Sequence, residues 1–411
     1  MMLNGNSMKQ EKLLILAGAS SQIPVIKYAK QKGYYVITAD YLPDNLGHKF
    51  ADEYVDVSTI DKEKVLQVAI DKKIDGILAY ATDPAAPTAA YVSTKLNLPG
   101  NDYEVVKTMQ RKDLFRTFLS KYDFPIPEFG SFIEYAEAYN FTEKILLTGR
   151  KAIIKPTDSS GSKGVSIINK LGEFENKFKY SQEYSMSGFV IVEEFIERAG
   201  NHMDGDCFVD NGKIVFCCFG NQLKDDSCFS DVPCAHSFPY IAPEYIKTKA
   251  SKLIQNIITK IGFNSGGINF EFIYDKNDTV YIIDIGPRNG GNLVPEGIMY
   301  YTGVRLMALA VEAALGHDIP HEMYRSNITD NVYSSYLIHS QKPGIIKSIF
   351  IDDYIRDKII YTQTNLNVGD HIDSFINSNG VASRIMIKHD NINELNELIN
   401  NMNNYIKVLV D

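Results

Sequence analysis

Two groups of residues in this 411-residue chain combine residue types and spacing that suit phosphate and metal chemistry. The first is Lys155, which ends an apolar run and is followed by a turn rich in serine and glycine at residues 157–164. Backbone N–H groups and hydroxyls of such a turn can surround phosphates, while the lysine supplies a fixed positive charge. Taken alone, the segment favours a phosphate-binding loop and a flexible surface hairpin equally, because turns of this composition are common.

The second group is a pair of carboxylates followed by an arginine. Glu271 and Asp284 each lie inside an apolar, strand-like run, and Arg288 follows four residues after the second. An unpaired carboxylate is costly in such surroundings, but two carboxylates on adjacent antiparallel strands can share a divalent cation such as Mg²⁺. The alternative is a structural salt bridge to Arg288. The rarity of buried unpaired acids favours the metal.

Several common catalytic and nucleotide-binding motifs are missing. The sequence has no G-x-x-x-x-G-K-[ST], no H-E-x-x-H and no G-x-S-x-G, which excludes a P-loop, a zincin site and a nucleophile elbow. The first apolar run, residues 12–18, is not followed by G-x-G-x-x-G, so the standard dinucleotide fingerprint is absent. The five cysteines show no C-x-x-C spacing, and buried strand or loop thiols are favoured over zinc bound by Cys228, Cys234 and His236.

The composition is that of a protein with a sizeable core, with 45% hydrophobic and 23% charged residues. The net charge of −9 argues against a broad basic face for nucleic acid or anionic lipid. No apolar run approaches the roughly 20 residues that cross a bilayer. Residues 1–10 lack the order of a signal peptide. We therefore expect a cytoplasmic enzyme or binder of small molecules, with neither nucleic acid nor membrane as a partner.

The pattern of elements predicts an α/β chain of three domains. Strand-like runs at 12–18, 35–39 and 74–80 alternate with helical stretches, as in a parallel sheet of the Rossmann type. One helix at 104–122 and two prolines then mark a boundary. Residues 126–320 contain strands around Asp210-Asn211-Gly212, an amphipathic helix, and a second hairpin. The predicted domains are 1–125, 126–320 and a β-rich 321–411.

The order of these features resembles the ATP-grasp superfamily, in particular the carbamoyl-phosphate-synthetase-like and biotin-carboxylase-like carboxylate–amine ligases. The resemblance covers residues 12–320, and its strongest matches are residues 153–156, the following turn, and residues 192–197, 270–272 and 284–292. It implies a Rossmann-like N-terminal sheet, a central ATP-grasp fold of two α+β subdomains with a lid at about 129–186, and a small C-terminal β-rich domain.

The resemblance implies ATP and Mg²⁺ as cofactors, with Mn²⁺ as an alternative metal. It assigns phosphate binding to Lys112, otherwise a solvated helix charge, and to Lys155, which also reaches the adenine and counts as catalytic. For three of the nucleotide-binding positions given next, another interpretation is open. Glu193 or Glu194 could be a solvent-facing charge at a strand end, and His202 could be a surface loop residue. The other nucleotide-binding positions are Ser159, Ser160, Gly161, Ser162 and Gly164 in the turn, and Glu193, Glu194, Phe195, Ile196, Glu197 and His202 at the adenine and ribose.

The same resemblance makes Glu271 and Asp284 the magnesium ligands and Arg288 the group that steadies an acyl phosphate and the tetrahedral intermediate. Because of two departures from the family pattern, the sequence leaves open whether one or two Mg²⁺ ions bind. Gly286 stands where the family has a metal-binding asparagine, and Asp284 replaces the usual glutamate. Asn289 and Asn292 are candidates to supply the missing oxygen to metal or substrate.

The implied activity is ligation of a carboxylate to an amine or similar nucleophile through an acyl phosphate, with release of ADP and phosphate. A non-catalytic ATP-binding regulatory module, favoured by Gly286, and a phosphotransferase acting on a small molecule are the alternatives. The sequence does not identify the carboxylate or the amine. Residues 220–240, including Lys224, Asp225, Asp226 and His236, are predicted to border the acceptor pocket. The sequence does not identify the oligomeric state either, although many family members are homodimers and a homodimer is one expectation.

Overall fold

The N-terminal part of the chain is a parallel sheet with crossover helices. The structure is a computed structural model that describes residues 9–224, 232–376 and 380–411; Asp225, Asp226 and Cys228 lie outside them. The sheet order β3-β2-β1-β4 confirms the predicted parallel arrangement. The elements of this part are β1 (Lys12–Leu16), α1 (Ile23–Gln31), β2 (Tyr35–Asp40), β3 (Glu53–Asp56), α2 (Lys62–Lys72), β4 (Gly76–Ala79), α3 (Ala86–Leu96), α4 (Tyr103–Gln110) and α5 (Lys112–Lys121).

The single helix predicted for residues 104–122 is wrong. Arg111 has extended backbone angles, φ −87° and ψ 112°, and separates α4 from α5. The N–H of Lys112 donates to the Thr157 carbonyl oxygen over 2.9 Å, so a contact from the serine- and glycine-rich turn takes the place of a helical hydrogen bond. The break makes Lys112 the first residue of α5.

A small antiparallel sheet of order β5-β8-β6-β7 follows, with two helices on one face. Its own apolar core includes Ile154, Phe174, Phe178, Val190 and Val192. This unit spans the predicted lid at 129–186 and adds β8 to it. Its elements are β5 (Phe129–Phe132), α6 (Tyr135–Leu147), β6 (Ala152–Pro156), β7 (Ser166–Ile168), α7 (Phe174–Glu183) and β8 (Val190–Glu194).

The largest sheet has the order β13-β12-β9-β10-β11-β14-β18-β16, and it crosses the boundary predicted at residue 320. Both predicted hairpins form, with Asn211 and Gly212 at positive φ in the first. The elements are β9 (His202–Asp210), β10 (Lys213–Lys224), β11 (Pro233–Phe238), α8 (Glu244–Ile261), β12 (Gly266–Tyr274), β13 (Val280–Gly286), α9 (Val294–Thr302), α10 (Leu306–Ala314), α11 (His321–Tyr324), β14 (Val332–His339), β15 (Gly344–Ile351), α12 (Asp353–Arg356), β16 (Ile359–Thr364), β17 (His371–Ile372), β18 (Val381–His389), α13 (Ile392–Asn400), α14 (Met402–Tyr405) and β19 (Ile406–Val410).

The apolar faces of the helices hold the parts together. Helix α8 buries Ile246, Ala250, Ile254, Ile257 and Ile258, the 3–4 spacing that its sequence predicted, in one core with β9, β12 and β13. Helix α10 packs against β1 and α1. Strands β15, β17 and β19 form a separate small sheet. Within the described ranges, no helix is both long and apolar enough to cross a membrane.

The cysteines that can be placed are thiols on strands, as expected. Cys207, Cys218 and Cys234 are buried and Cys217 is partly buried. Burial raises the pKa of the Cys207 and Cys218 thiols well above the usual range, so they are unreactive core residues.

Candidate active site

A cavity of about 760 Å³ lies where the small sheet, the large sheet and the N-terminal unit meet. Its size is in the range of small-molecule and cofactor sites. The predicted site residues that line it are Lys112, Lys155, Ser159, Ser160, Gly161, Ser162, Glu193, Glu194, Phe195, Ile196, Glu197, His202, Glu271, Asp284, Arg288 and Asn292. Two predicted residues, Gly164 and Asn289, are not part of this lining.

Glu193, Lys155 and Arg116 form a buried ion triad on the side of the cavity next to the small sheet. Glu193 on β8 accepts from Lys155 Nζ over 2.8 Å through Oε2 and from Arg116 Nε over 2.7 Å through Oε1. Burial would raise the pKa of this carboxyl, but the charges of Arg116 and Lys155 outweigh it and lower the pKa from 4.5 to about 2. Glu193 is therefore not the solvent-facing charge considered above. Glu194 is only partly buried and pairs with Arg150.

Lys112 joins the turn to the predicted metal carboxylates. Its ammonium donates to the Ser159 carbonyl oxygen over 3.0 Å and lies 3.1 Å from Asp284 Oδ2. Burial would lower the pKa of this lysine, but the attraction of Asp284 and Asp83 raises it. A charged lysine on α5 therefore faces the cavity at the point where the turn closes over it.

Glu271 and Asp284 are directly opposite each other on β12 and β13, as two ligands of one cation require. Burial, together with the charges of Asp284 and Asp204, raises the pKa of Glu271 from 4.5 to about 7, so negative charge is crowded here. Gln222 Nε2 donates to Glu271 Oε1 over 3.3 Å. In the part of the chain that the structure describes, no three His, Cys, Asp or Glu side chains form a metal-binding cluster. The two carboxylates suit Mg²⁺ that takes its other oxygens from phosphate and water.

Arg288 pairs with a residue of the N-terminal unit that the sequence analysis did not single out. Its Nε and Nη2 donate to the two carboxylate oxygens of Asp83 over 2.9 and 2.5 Å, a bidentate pair. The alternative in which Arg288 forms a salt bridge with Glu271 or Asp284 is therefore wrong. Asp83 follows the carboxyl end of β4, where parallel sheets usually carry their site residues. That position in the sequence could have indicated Asp83 as a site residue.

This ion pair gives a physical reason for Gly286. A Cβ atom at residue 286 would lie 3.0 Å from Asp83 Oδ1 and 3.1 Å from Arg288 Cζ. Both distances are tighter than ordinary contacts, so a side chain at residue 286 requires Asp83 and Arg288 to shift by at least a few tenths of an ångström. Glycine at this position thus accommodates the Asp83–Arg288 pair.

Replacing Gly286 by Asn, the residue of the family pattern, is expected to lower turnover by about tenfold or more, because Arg288 must move from its position. Gly172→Asn, at a glycine with open space around it, is the matched control. Steady-state kinetics with varied Mg²⁺ and ATP measure the effect. If Gly286→Asn instead raises turnover or Mg²⁺ affinity, Gly286 is a lost metal ligand and the packing explanation is wrong.

Two histidines extend the acidic side of the cavity. His236 Nδ1 is hydrogen-bonded to Asp204, whose charge outweighs burial and raises the pKa of the ring; its buried Nε2 has no partner among the described residues. Burial lowers the pKa of His202 to about 3, and its Nε2 lies 3.5 Å from Glu271 Oε2. His236 and Lys224 line the cavity as predicted. Asp204 was missed, although the alternation His202, Asp204, Asp206 along β9 was a usable signal.

The structure gives Asn289 and Gly164 other surroundings. Asn289 is 1% exposed and donates through Nδ2 to Asp206 Oδ2 over 3.0 Å; it lines a smaller, separate cavity. Gly164 has φ +73°, and a Cβ atom there would lie 2.7 Å from Pro156 Cγ, so glycine is needed for the shape of the turn. Asn292 lines the main cavity and accepts from Arg384 Nε over 3.0 Å.

Comparison with known proteins agrees with this arrangement. Residues 110–292 match the family model described as the ATP-grasp domain. The chain is 23% identical over 297 residues to the carbamoyl phosphate synthase large chain, C-terminal section, of Methanopyrus kandleri, a match covering 71% of this chain and 53% of that protein. It is 23% identical over 281 residues to the formate-dependent phosphoribosylglycinamide formyltransferase of Prochlorococcus marinus, covering 68% and 70%.

A solved structure shares the fold over nearly the whole chain. The L-amino acid ligase of Bacillus licheniformis superposes with a TM-score of 0.82 at 18% identity, covering 98% of this chain and 100% of that one. The chain spans about half the length of the Methanopyrus protein that it matches. The family model nevertheless covers the turn at 157–164, the predicted adenine-binding residues 193–196 and the paired carboxylates in one match, which confirms the predicted resemblance. Residues 110–292 of this chain therefore match the ATP-grasp domain.

Proposed function

We propose that this chain is an ATP- and Mg²⁺-dependent ligase that activates a small carboxylate as an acyl phosphate and joins it to an amine. The observation that carries the proposal is the convergence in one cavity of two lysines, two facing carboxylates and an arginine held by a bidentate pair. Support also comes from the relatives, whose names include a carbamoyl phosphate synthase, a formyltransferase and an L-amino acid ligase.

The nucleotide is assigned to the side of the cavity under the small sheet. The backbone of residues 193–196 would hold the adenine, and the turn at 159–164 would hold the phosphates. Lys155 has three N–H donors, of which Glu193 takes one, so others remain for the nucleotide. Lys112, which contacts both the turn and Asp284, would add a second positive charge toward the phosphates.

Glu271 and Asp284 are the residues that would hold Mg²⁺, which neutralises the charge of the β- and γ-phosphates when it is bound. The raised pKa of Glu271 fits this assignment, because a cation removes the repulsion between the two carboxylates. Asp284 has Lys112 as its ion-pair partner. Lys112 and a metal ion therefore share the task of balancing this carboxylate.

The reaction proceeds in two steps in this proposal. A substrate carboxylate oxygen attacks the γ-phosphorus, and the bond to ADP breaks, giving an acyl phosphate. The lone pair of an amine then attacks the acyl carbon, and phosphate leaves with the C–O bonding pair as the amine loses a proton. Arg288 balances the negative oxygens of both steps. The protein's contribution is alignment and charge neutralisation.

The regulatory alternative loses its main support in the structure. It relied on Gly286 as a missing metal ligand, and the Asp83–Arg288 pair accounts for that glycine by packing. Both lysines, both carboxylates and Arg288 also line the cavity together.

The test is nucleotide product analysis with panels of small carboxylates and amines. We expect ADP and phosphate to form only when Mg²⁺, ATP, a carboxylate and an amine are all present. AMP and pyrophosphate would contradict the acyl phosphate route. Tight binding of Mg²⁺-ATP without turnover of any pair would favour the regulatory module, and a stable phosphorylated product would favour the phosphotransferase.

A further inference from the structure

Arg384 on β18 lines the main cavity without an acidic partner. Its Nε donates to Asn292 Oδ1 over 3.0 Å. Across the described ranges, Arg111, Arg116, Arg150 and Arg288 are the other arginines that are not exposed, and each forms an ion pair with a carboxylate. None of the described carboxylate oxygens lies within 4 Å of the Arg384 guanidinium, the distance limit for an ion pair. It is the exception among the partly buried arginines that the structure describes.

A charge in this position is costly unless something compensates it. Burial disfavours the charged form and lowers the pKa of Arg384, yet a guanidinium stays protonated at any physiological pH. The carboxyl that attracts it most is Glu296, whose own pKa is raised by burial to about 7, so this group is only partly charged at neutral pH. The protein alone therefore leaves the positive charge largely unbalanced.

Hydrogen bonds connect Arg384 and its strand to two other parts of the chain. Asn292 follows Arg288 by four residues in the loop that leads into α9. Ser21 of the N-terminal unit lines the same cavity. Its neighbour Ser20 donates to Asn365 Oδ1 over 2.9 Å, and the Asn365 N–H donates to the Ala382 carbonyl oxygen, two residues before Arg384.

The hydrogen bond to Asn292 also orients the arginine. It occupies Nε and leaves the two terminal nitrogens of the planar fork for another partner. That fork matches the geometry of a carboxylate or a phosphate. A small molecule with such a group would supply the missing charge and two hydrogen bonds.

We propose that Arg384 binds an anionic group of a substrate, a carboxylate or phosphate that does not itself react. The inference rests on the proposed ligase function and narrows its substrate class. At least one of the two molecules that are joined carries a second anionic group besides the reacting carboxylate. An amino acid used as the amine, a dicarboxylic acid and a phosphorylated amine all fit this description.

The first test is binding, which does not depend on turnover. Thermal unfolding is measured with Mg²⁺ and a non-hydrolysable ATP analogue for the wild type, Arg384→Gln, Arg384→Lys and the control Arg325→Gln, at an exposed arginine outside the cavity. The probes are amino acids against their α-carboxamides, dicarboxylates against their monoamides, and O-phosphoethanolamine against ethanolamine. We expect at least one anionic probe to stabilise the wild type and the control. Arg384→Gln should lose that shift, Arg384→Lys should keep part of it, and the neutral analogue should give none.

The ligand-free proteins give a second readout. Arg384→Gln should unfold at the same temperature as the wild type or higher, because it removes an uncompensated charge. A lower unfolding temperature, with unchanged responses to every probe, would show that Arg384 is only a structural link to Asn292. The proposal is also wrong if no anionic probe stabilises the wild type more than it stabilises Arg384→Gln.

Kinetics with an active substrate pair separate this inference from the ligase proposal. Arg384→Gln should raise KM for the anionic substrate by about 10- to 100-fold, the effect of a lost charged hydrogen bond, with kcat changed far less. If ADP forms but Arg384→Gln behaves as the wild type, the anion site is wrong and the ligase stands. If anions bind through Arg384 but no pair yields ADP, the ligase proposal is wrong and the anion site stands.

Discussion

Replacing Glu271 by Gln is expected to lower ADP release by about 10²-fold or more, while the ligand-free protein stays as stable as the wild type or becomes slightly more stable. Catalysis falls because the γ-phosphate loses charge neutralisation as it is transferred. Stability is kept because the change removes one of two facing carboxylates whose repulsion, with burial, raises the pKa of Glu271 to about 7. Thermal unfolding, Mg²⁺-ATP affinity and ADP release are measured on the same preparations.

Asp278→Asn is the matched control for this experiment, since Asp278 lies, partly buried, in the turn of the same hairpin and outside the cavity. It removes one negative charge without touching the proposed metal site, so we expect turnover near that of the wild type. If Glu271→Gln keeps near-normal turnover, the active site has been placed wrongly. If it unfolds at a much lower temperature, Glu271 is a structural residue.

Among the proposed substitutions, Glu193→Gln is expected to have the largest effect on stability. It should lower the free energy of unfolding by about 3–5 kcal/mol. Glu193 is 2% exposed and is the shared acceptor of Arg116 and Lys155, so its neutralisation leaves two buried cations without their counter-charge. Denaturant unfolding measures the change. Glu194→Gln is the control, because Glu194 pairs with Arg150 at the surface and such pairs contribute only about 0–1 kcal/mol.

The stability difference caused by Glu193→Gln should also depend on pH. The folded-state pKa of Glu193 is about 2, below its usual value of 4.5. Its ionised form therefore stabilises the fold fully above about pH 4.5, and this contribution is lost as the pH falls toward 2. The gap between wild type and Glu193→Gln should narrow over that window. Equal stability of the two proteins at neutral pH would show that the triad does not stabilise the side of the cavity next to the small sheet.

Features set by local sequence were predictable. The apolar runs of β1 and β2, the Asn211-Gly212 turn and the 3–4 spacing of α8 each indicate one local structure, and that structure forms. The paired carboxylates could be found for a similar reason. A charged residue inside an apolar strand is conspicuous. The exact pairing of Glu271 with Asp284, however, depends on a bulge beside Glu271 that shifts the register of the hairpin by one residue.

Features set by distant contacts were not predictable in this way. Asp83 and Arg288 are 205 residues apart, and neither residue's neighbours in sequence indicate the other. The break between α4 and α5 depends on the Thr157 carbonyl oxygen, so no helix signal near Arg111 marks it. Arg384 reached the cavity only because β18 joins the large sheet beside β14. Each case needed the fold before the partner could be named.

The most direct measurement of the central claim follows one oxygen atom. The carboxylate substrate is labelled with ¹⁸O, and the phosphate released in the ligation is analysed by mass spectrometry. Because the attacking carboxylate oxygen stays on phosphorus when the C–O bond breaks, we predict that each phosphate formed carries one oxygen from the substrate. Unlabelled phosphate, or label found in AMP, would contradict activation of the carboxylate as an acyl phosphate.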